Sequence, residues 1–276
     1  MTKEKISKGL IIQLAVLASA FLALYFPFIL TMEYDWRTND NFSHGYFIPV
    51  IAGYMIYWRR EEFTKYVFSP SNWGIIFVGL GLLQLLIAKI GTEYFLQRTS
   101  MIIVLFGIAL FLFGKSITKK LSFPLIYLIF MVPIPAIIWN SFAFPMQLFA
   151  SSITETVIRA FGIPVYREGN IINLAETTLE VVDACSGLRS LTSMLALSAA
   201  IAYFSNLPIA RKWIIFLSAV PIAIFVNVVR LTATAALASR YGSEVAQGFL
   251  HDFSGWLTFV FGLAMLWGIN ILLTRK

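Results

Sequence analysis

The sequence predicts an all-α polytopic membrane protein of about eight transmembrane helices, on three observations. Apolar residues make up 59% of the 276 and charged residues only 13%, with a mean hydropathy of +0.80; a soluble domain carries roughly 25% charge. Apolar runs of about 20 residues, the length that crosses the bilayer's hydrocarbon core, recur along the chain. Basic residues gather in alternate connections between those runs, the signature of membrane topology rather than of nucleic-acid binding.

The first run, about 9–31, follows "MTKEKISKG" and resembles a signal peptide with Ala18-Ser19-Ala20 as its cleavage site. The apolar stretch continues through "FLALYFPFIL", so it reads as an uncleaved anchor. The next runs fall at about 42–58, 73–91, 99–114 and 121–139, and the last three at about 188–206, 212–231 and 253–273. With eight spans both termini share one side. That side holds 13 of the 21 Lys and Arg, among them Lys3, Arg59, Lys119, Arg211 and Lys276, and only Glu4, Glu61 and Glu62 of the 14 acids. The positive-inside rule makes it the cytoplasm. The chain is predicted to be one membrane domain, 1–276, in the cell inner membrane.

The connection between the fifth and sixth spans, about 140–187, is the one with room for structure outside the bilayer. "FAFPMQLFASSITETVIRAFG" has apolar residues at helical spacing and reads as an amphipathic helix on the extracytoplasmic surface. Gly169-Asn170 is a turn signal, and the alternation in "TTLEVVD" predicts strands, together a small hairpin ending near Cys185.

Cys185 is the only cysteine, which excludes an intramolecular disulfide. A lone Cys in an apolar chain is ordinarily a small hydrophobe. This one sits between Asp183 and Arg189, at the outer mouth of the sixth span. A thiol at a helix N-terminus near an arginine has a depressed pKa and more thiolate. Arg230 closes the seventh span at the same depth, with Asn227 on its polar face, and His251 and Asp252 precede the eighth. Arg230 has a plain alternative as a snorkelling anchor, and His251 as a loop histidine. His44, in "NFSHGYF", lies at another outer mouth. No HExxH, HxxxH or CxxC spacing is present, so no metal and no other cofactor is expected.

A cysteine nucleophile, a histidine proton shuttle and an arginine that stabilises an oxyanion make a coherent acyl-transfer set. A transporter or non-catalytic component of exopolysaccharide export is the competing reading. It calls for polar residues at mid-membrane, and Gln13, Gln84 and Asn227 are the clearest ones. GxSx, the mark of a rhomboid-type serine protease, is absent.

Six segments, in order, resemble motifs of the exosortase/archaeosortase family of membrane cysteine transpeptidases. They are "NFSHGYFIPVIAGYMIYW", "FMVPIP", "GIPVYREGNIINL", "ACSGLRSL", "NVVR" and "HDFSG". Carried over by position, the family's triad falls on Cys185, Arg230 and His251, with Arg189, Asn227, Asp252, His44 and Asp183 as supporting or substrate-binding residues. The resemblance, most like bacterial exosortases, implies that Cys185 cleaves the C-terminal sorting signal of exported proteins through a thioester. That signal is a short motif, a transmembrane helix and a basic tail. The acyl group would pass to water or to a lipid or glycan acceptor. Membrane lipid and the tail-bearing proteins are the partners implied; nucleic acid is not.

Overall fold

The computed structural model describes residues 8–63, 69–175, 178–181, 188–241 and 249–275, and it divides into two compact units, residues 1–135 and 136–276. The first unit contains α1 (Lys8–Thr38), a 3-10 segment (Asp40–Tyr46), α2 (Phe47–Trp58), α3 (Arg60–Phe63), α4 (Trp73–Ile90), α5 (Tyr94–Tyr127) and a second 3-10 turn (Leu128–Met131). The second contains α6 (Ala136–Ala160), strands β1 (Val165–Glu168), β2 (Ile171–Leu174) and β3 (Thr178–Glu180), α7 (Leu188–Phe204), α8 (Ile209–Tyr241) and α9 (Phe249–Thr274). It is a helical membrane protein. Among the described residues, five helical stretches are long and apolar enough to span a bilayer: Ile11–Thr38, Trp73–Ile90, Tyr94–Met131, Ile209–Arg240 and Gly255–Thr274. The spans expected at 42–58 and 188–206 appear as the shorter α2 and α7, of 12 and 17 residues.

Glycine sets the packing of the first unit. α4 and α5 meet at Gly74, Gly81 and Gly107, where any side chain would strike the facing backbone or Val104. Backbone contact of this kind is how membrane helices associate without a hydrophobic driving force. α5 bends at Gly114, whose φ of +78° and ψ of −179° only glycine adopts readily, with Ser69 O filling the place of a side chain. The limb before the bend rises about 30 Å, one hydrocarbon thickness. An ion pair, buried on the arginine side, Arg98 Nη2 to Asp35 Oδ2 at 2.6 Å, ties α5 to the C-terminal end of α1.

The fifth predicted span, 121–139, is not one helix. α5 ends at Tyr127, a 3-10 turn follows, and α6 starts only at Ala136. The reason lies in Pro133 and Pro135, which have no N–H to donate to the carbonyls of Ile129 and Met131. Two side chains from the Ser-His-Gly segment and its approach bond carbonyls at this break, the stranded Met131 O and the neighbouring Phe130 O. Trp36 Nε1 donates to Met131 O at 2.8 Å, and His44 Nε2 to Phe130 O at 3.2 Å. Gly45 lies flat under the Trp36 indole, where a side chain would clash. Two of the motif-bearing segments are therefore one structural joint.

In the second unit α6 presents Trp139, Ala143, Gln147, Ala150, Ser151, Thr154 and Ile158 as one buried stripe. The expected hairpin is a three-stranded antiparallel meander, β1-β2-β3, paired Val165 to Leu174 and Ile172 to Leu179. The third strand, Thr178–Glu180, falls in the "TTLEVVD" stretch whose alternation predicts strand. α6 and the meander share one core with α8, built from Ile158, Ile172, Val181, Leu231 and Ala235. α8 accordingly runs to Tyr241, ten residues beyond the apolar run that ended near 231. "TATAALAS" is alanine-rich, with high helix propensity, and its small side chains let the insert pack against it.

Candidate active site

The three helices α7, α8 and α9 pack together around Met194, Ala219, Ile222, Ala223, Val226 and Leu266. α8 and α9 run antiparallel, and three contacts fix their register. At the basic end, Arg211 Nη1 donates to Leu273 O at 2.9 Å, capping the C-terminus of α9 where a cation is favoured. In the middle, Gly262 leaves room for Met194, and Ile222 Cγ2 lies 3.6 Å from the point where a Gly262 side chain would begin. At the far end, Arg230 Nη1 lies 3.6 Å from the corresponding point of Gly255. The stretches Arg211–Arg230 and Gly255–Leu273 each rise about 27–29 Å, so these contacts belong to a single register.

Arg230 is half-buried and Asn227, three residues earlier on the same face, is 4% exposed. On α9, His251 precedes Gly255 by one helical turn on one face of the backbone. The guanidinium of Arg230 is therefore brought to the helix face, and within about one 5.4 Å turn of the level, that carries His251. The side chains of His251 and Asp252 are not described. Asp183 and Cys185 lie outside the described residues. What brackets them is described: Val181, 1% exposed, is buried in the same core as Leu231, and α7 opens at Leu188. Arg189 stands in the first turn of α7, half-buried, and its carbonyl accepts from Thr192 Oγ1 and Ser193 Oγ, each at 3.1 Å.

His44 belongs to the other unit, in the joint with Phe130. Nε2 carries the proton it donates. Nδ1 is buried with no hydrogen-bond partner among the described residues. Burial pushes this imidazole below its ordinary pKa, so it is held neutral. Among the described residues no three His, Cys, Asp or Glu side chains come close enough to hold a metal ion.

Sequence reasoning had passed over two contributors. Gly255 was visible only as the last letter of "HDFSG", and its physical use, as the seat of a guanidinium, needs the helix pair. Trp36 carried no signal, because nothing local says that its indole serves a carbonyl far along the chain.

These features define a class: a multi-pass helical membrane protein with a small three-stranded insert packed on its long α8. Residues 36–268 match the family of transmembrane exosortases (Exosortase_EpsH). The chain belongs to that family, the membrane sorting transpeptidases, whose members are generally cysteine enzymes. No curated protein and no solved structure matches the chain.

Proposed function

We propose that the protein is a cysteine transpeptidase that cuts the C-terminal sorting signal of exported proteins at the extracytoplasmic face of the inner membrane, with Cys185, Arg230 and His251 as the catalytic group. The observation that carries this is the contact of Arg230 with the His251-bearing face of α9, beside a core that also holds Val181. Cys185 is four positions beyond Val181, a tether of at most about 14 Å. Sulfur, guanidinium and imidazole thus have the means to meet.

The Cys185 thiolate attacks the scissile carbonyl carbon, and the oxyanion that forms is stabilised by Arg230. As the C–N bond breaks, the His251 imidazolium protonates the leaving amine, which departs with the transmembrane tail. The acyl group remains as a thioester. An acceptor hydroxyl, amine or water then gives its proton to His251 and attacks, and the thiolate leaves. Arg230 is preferred to Arg189 because of the Gly255 contact. Eight spans with both termini in the cytoplasm keep the basic tail of a substrate on the basic side.

One cysteine makes the test direct. In membranes, iodoacetamide should alkylate Cys185 fast at neutral pH and several-fold more slowly in His251→Ala and Arg230→Ala, since the thiolate loses its partners. Processing of a co-expressed tail-bearing protein should stop in Cys185→Ala, and hydroxylamine should release a thioester-linked fragment from the native enzyme. Continued processing by Cys185→Ala would leave the export-component reading in possession. Loss in Arg189→Ala with Arg230→Ala intact would move the oxyanion role to Arg189.

A further inference from the structure

We propose that Thr234 is a positioning residue of this site, its hydroxyl holding the imidazole of His251; the inference rests on the reading above. Asn227, Arg230 and Thr234 are spaced three and four apart, so they form one polar stripe on α8. His251, Gly255, Thr258 and Gly262 form the matching stripe on α9 by the same spacing. The register set by Arg211–Leu273, Ile222–Gly262 and Arg230–Gly255 runs on by one turn in both helices. That turn brings the level of His251 opposite Ala233 and Thr234, and of the two only Thr234 is polar and on the Arg230 face.

The hydroxyl is also uncommitted. In helices Ser and Thr usually donate to a carbonyl three or four residues back. Ser218 and Ser239, on the same helix, do so to Ile215 and Ala236, and Thr258 does so on α9. Among the described residues Thr234 makes no such bond, although it is half-buried. Thr232 is likewise unbonded, but two residues turn it about 200° around the helix, away from the Arg230 stripe. A hydroxyl that accepts from the imidazolium favours its charged form and fixes the ring's orientation, the role a third group plays toward a catalytic base.

Thr234→Val keeps the shape and removes the hydroxyl; Thr234→Ser keeps the hydroxyl. Processing of a co-expressed tail-bearing protein should slow about tenfold in Thr234→Val, the size of a lost hydrogen bond to a charged group. The alkaline limb of its pH profile, where the imidazolium loses its proton, should move to lower pH, and Thr234→Ser should stay within about twofold of native. Iodoacetamide alkylation of Cys185 should respond to Thr234→Val in the native background and not on top of His251→Ala, because coupled residues are non-additive. Native rates in Thr234→Val, equal damage in Thr234→Ser, or an undiminished effect on top of His251→Ala overturns the inference. An inert Cys185→Ala beside a native-like Thr234→Val removes Thr234 alone; an active Cys185→Ala removes the transpeptidase reading itself.

Discussion

The guanidinium of Arg230 can lie along α9 because position 255 has no side chain. A methyl there would sit 3.6 Å from Nη1, an ordinary contact, whereas a branched side chain would occupy the guanidinium's place. Gly255→Ala should therefore process substrate near the native rate, and Gly255→Leu should fall by about a hundredfold, as when an oxyanion donor is removed. Arg230→Lys should recover only part of the Arg230→Ala loss, since a point charge replaces a planar fork. His44 makes a different prediction. Burial holds its folded pKa below the ordinary value of about 6.5, so the unfolded chain takes up the proton first. Its contribution to stability is present above about 6.5 and is lost as the pH falls toward the folded value. His44→Gln keeps a donor for Phe130 O without the titration. The melting temperature of the detergent-solubilised protein should drop more between about pH 6.5 and 5 in native protein than in His44→Gln. Identical slopes, with His251→Ala as background, would show that His44 bears no such load.

At the scale of elements, legibility followed whether the cause was local. Apolar runs located α1, α4 and α9, because a lipid-facing helix needs nothing but length and apolarity. The break at Pro133 and Pro135 was in plain view, yet an unbroken apolar run concealed it: hydropathy does not register a missing N–H. Met131 O, which it strands, is capped by Trp36 and the neighbouring Phe130 O by His44, partners that no window of sequence brings together. The extension of α8 to Tyr241 escaped for the same reason, since it is held by packing within the insert core. For the proposed catalytic group, residue types and order along the chain are what the sequence offers, whereas the level at which α8 meets α9 comes only from the structure. Gly114 was readable only as a glycine near lysines; its φ of +78° is what makes it necessary. Gly114→Ala should destabilise the solubilised protein by about 1–3 kcal/mol from backbone strain alone, and more from the clash with Ser69 O. A melting temperature equal to native would mean that the bend relaxes without cost.

For the molecule as a whole, the charge distribution is the argument for which face would carry the proposed chemistry. The basic residues that the positive-inside reading assigns to the cytoplasm include Arg211, which caps α9, and Arg59 and Lys120, both paired with Glu62. Arg230 lies at the other end of α8, about 28 Å away, close to one hydrocarbon thickness. If Arg211 is cytoplasmic, Arg230 and the insert on α8 belong outside, where exported proteins would present their sorting signals and where the basic tail stays behind. Alkaline phosphatase, active only outside the cytoplasm, should be active when inserted at the Gly169-Asn170 turn and inactive when fused after Lys276. A green fluorescent protein fusion after Lys276 should fluoresce. An inactive phosphatase at the turn would put the proposed nucleophile on the same side as the substrate's basic tail, and sorting at the cell surface by this site would then be impossible.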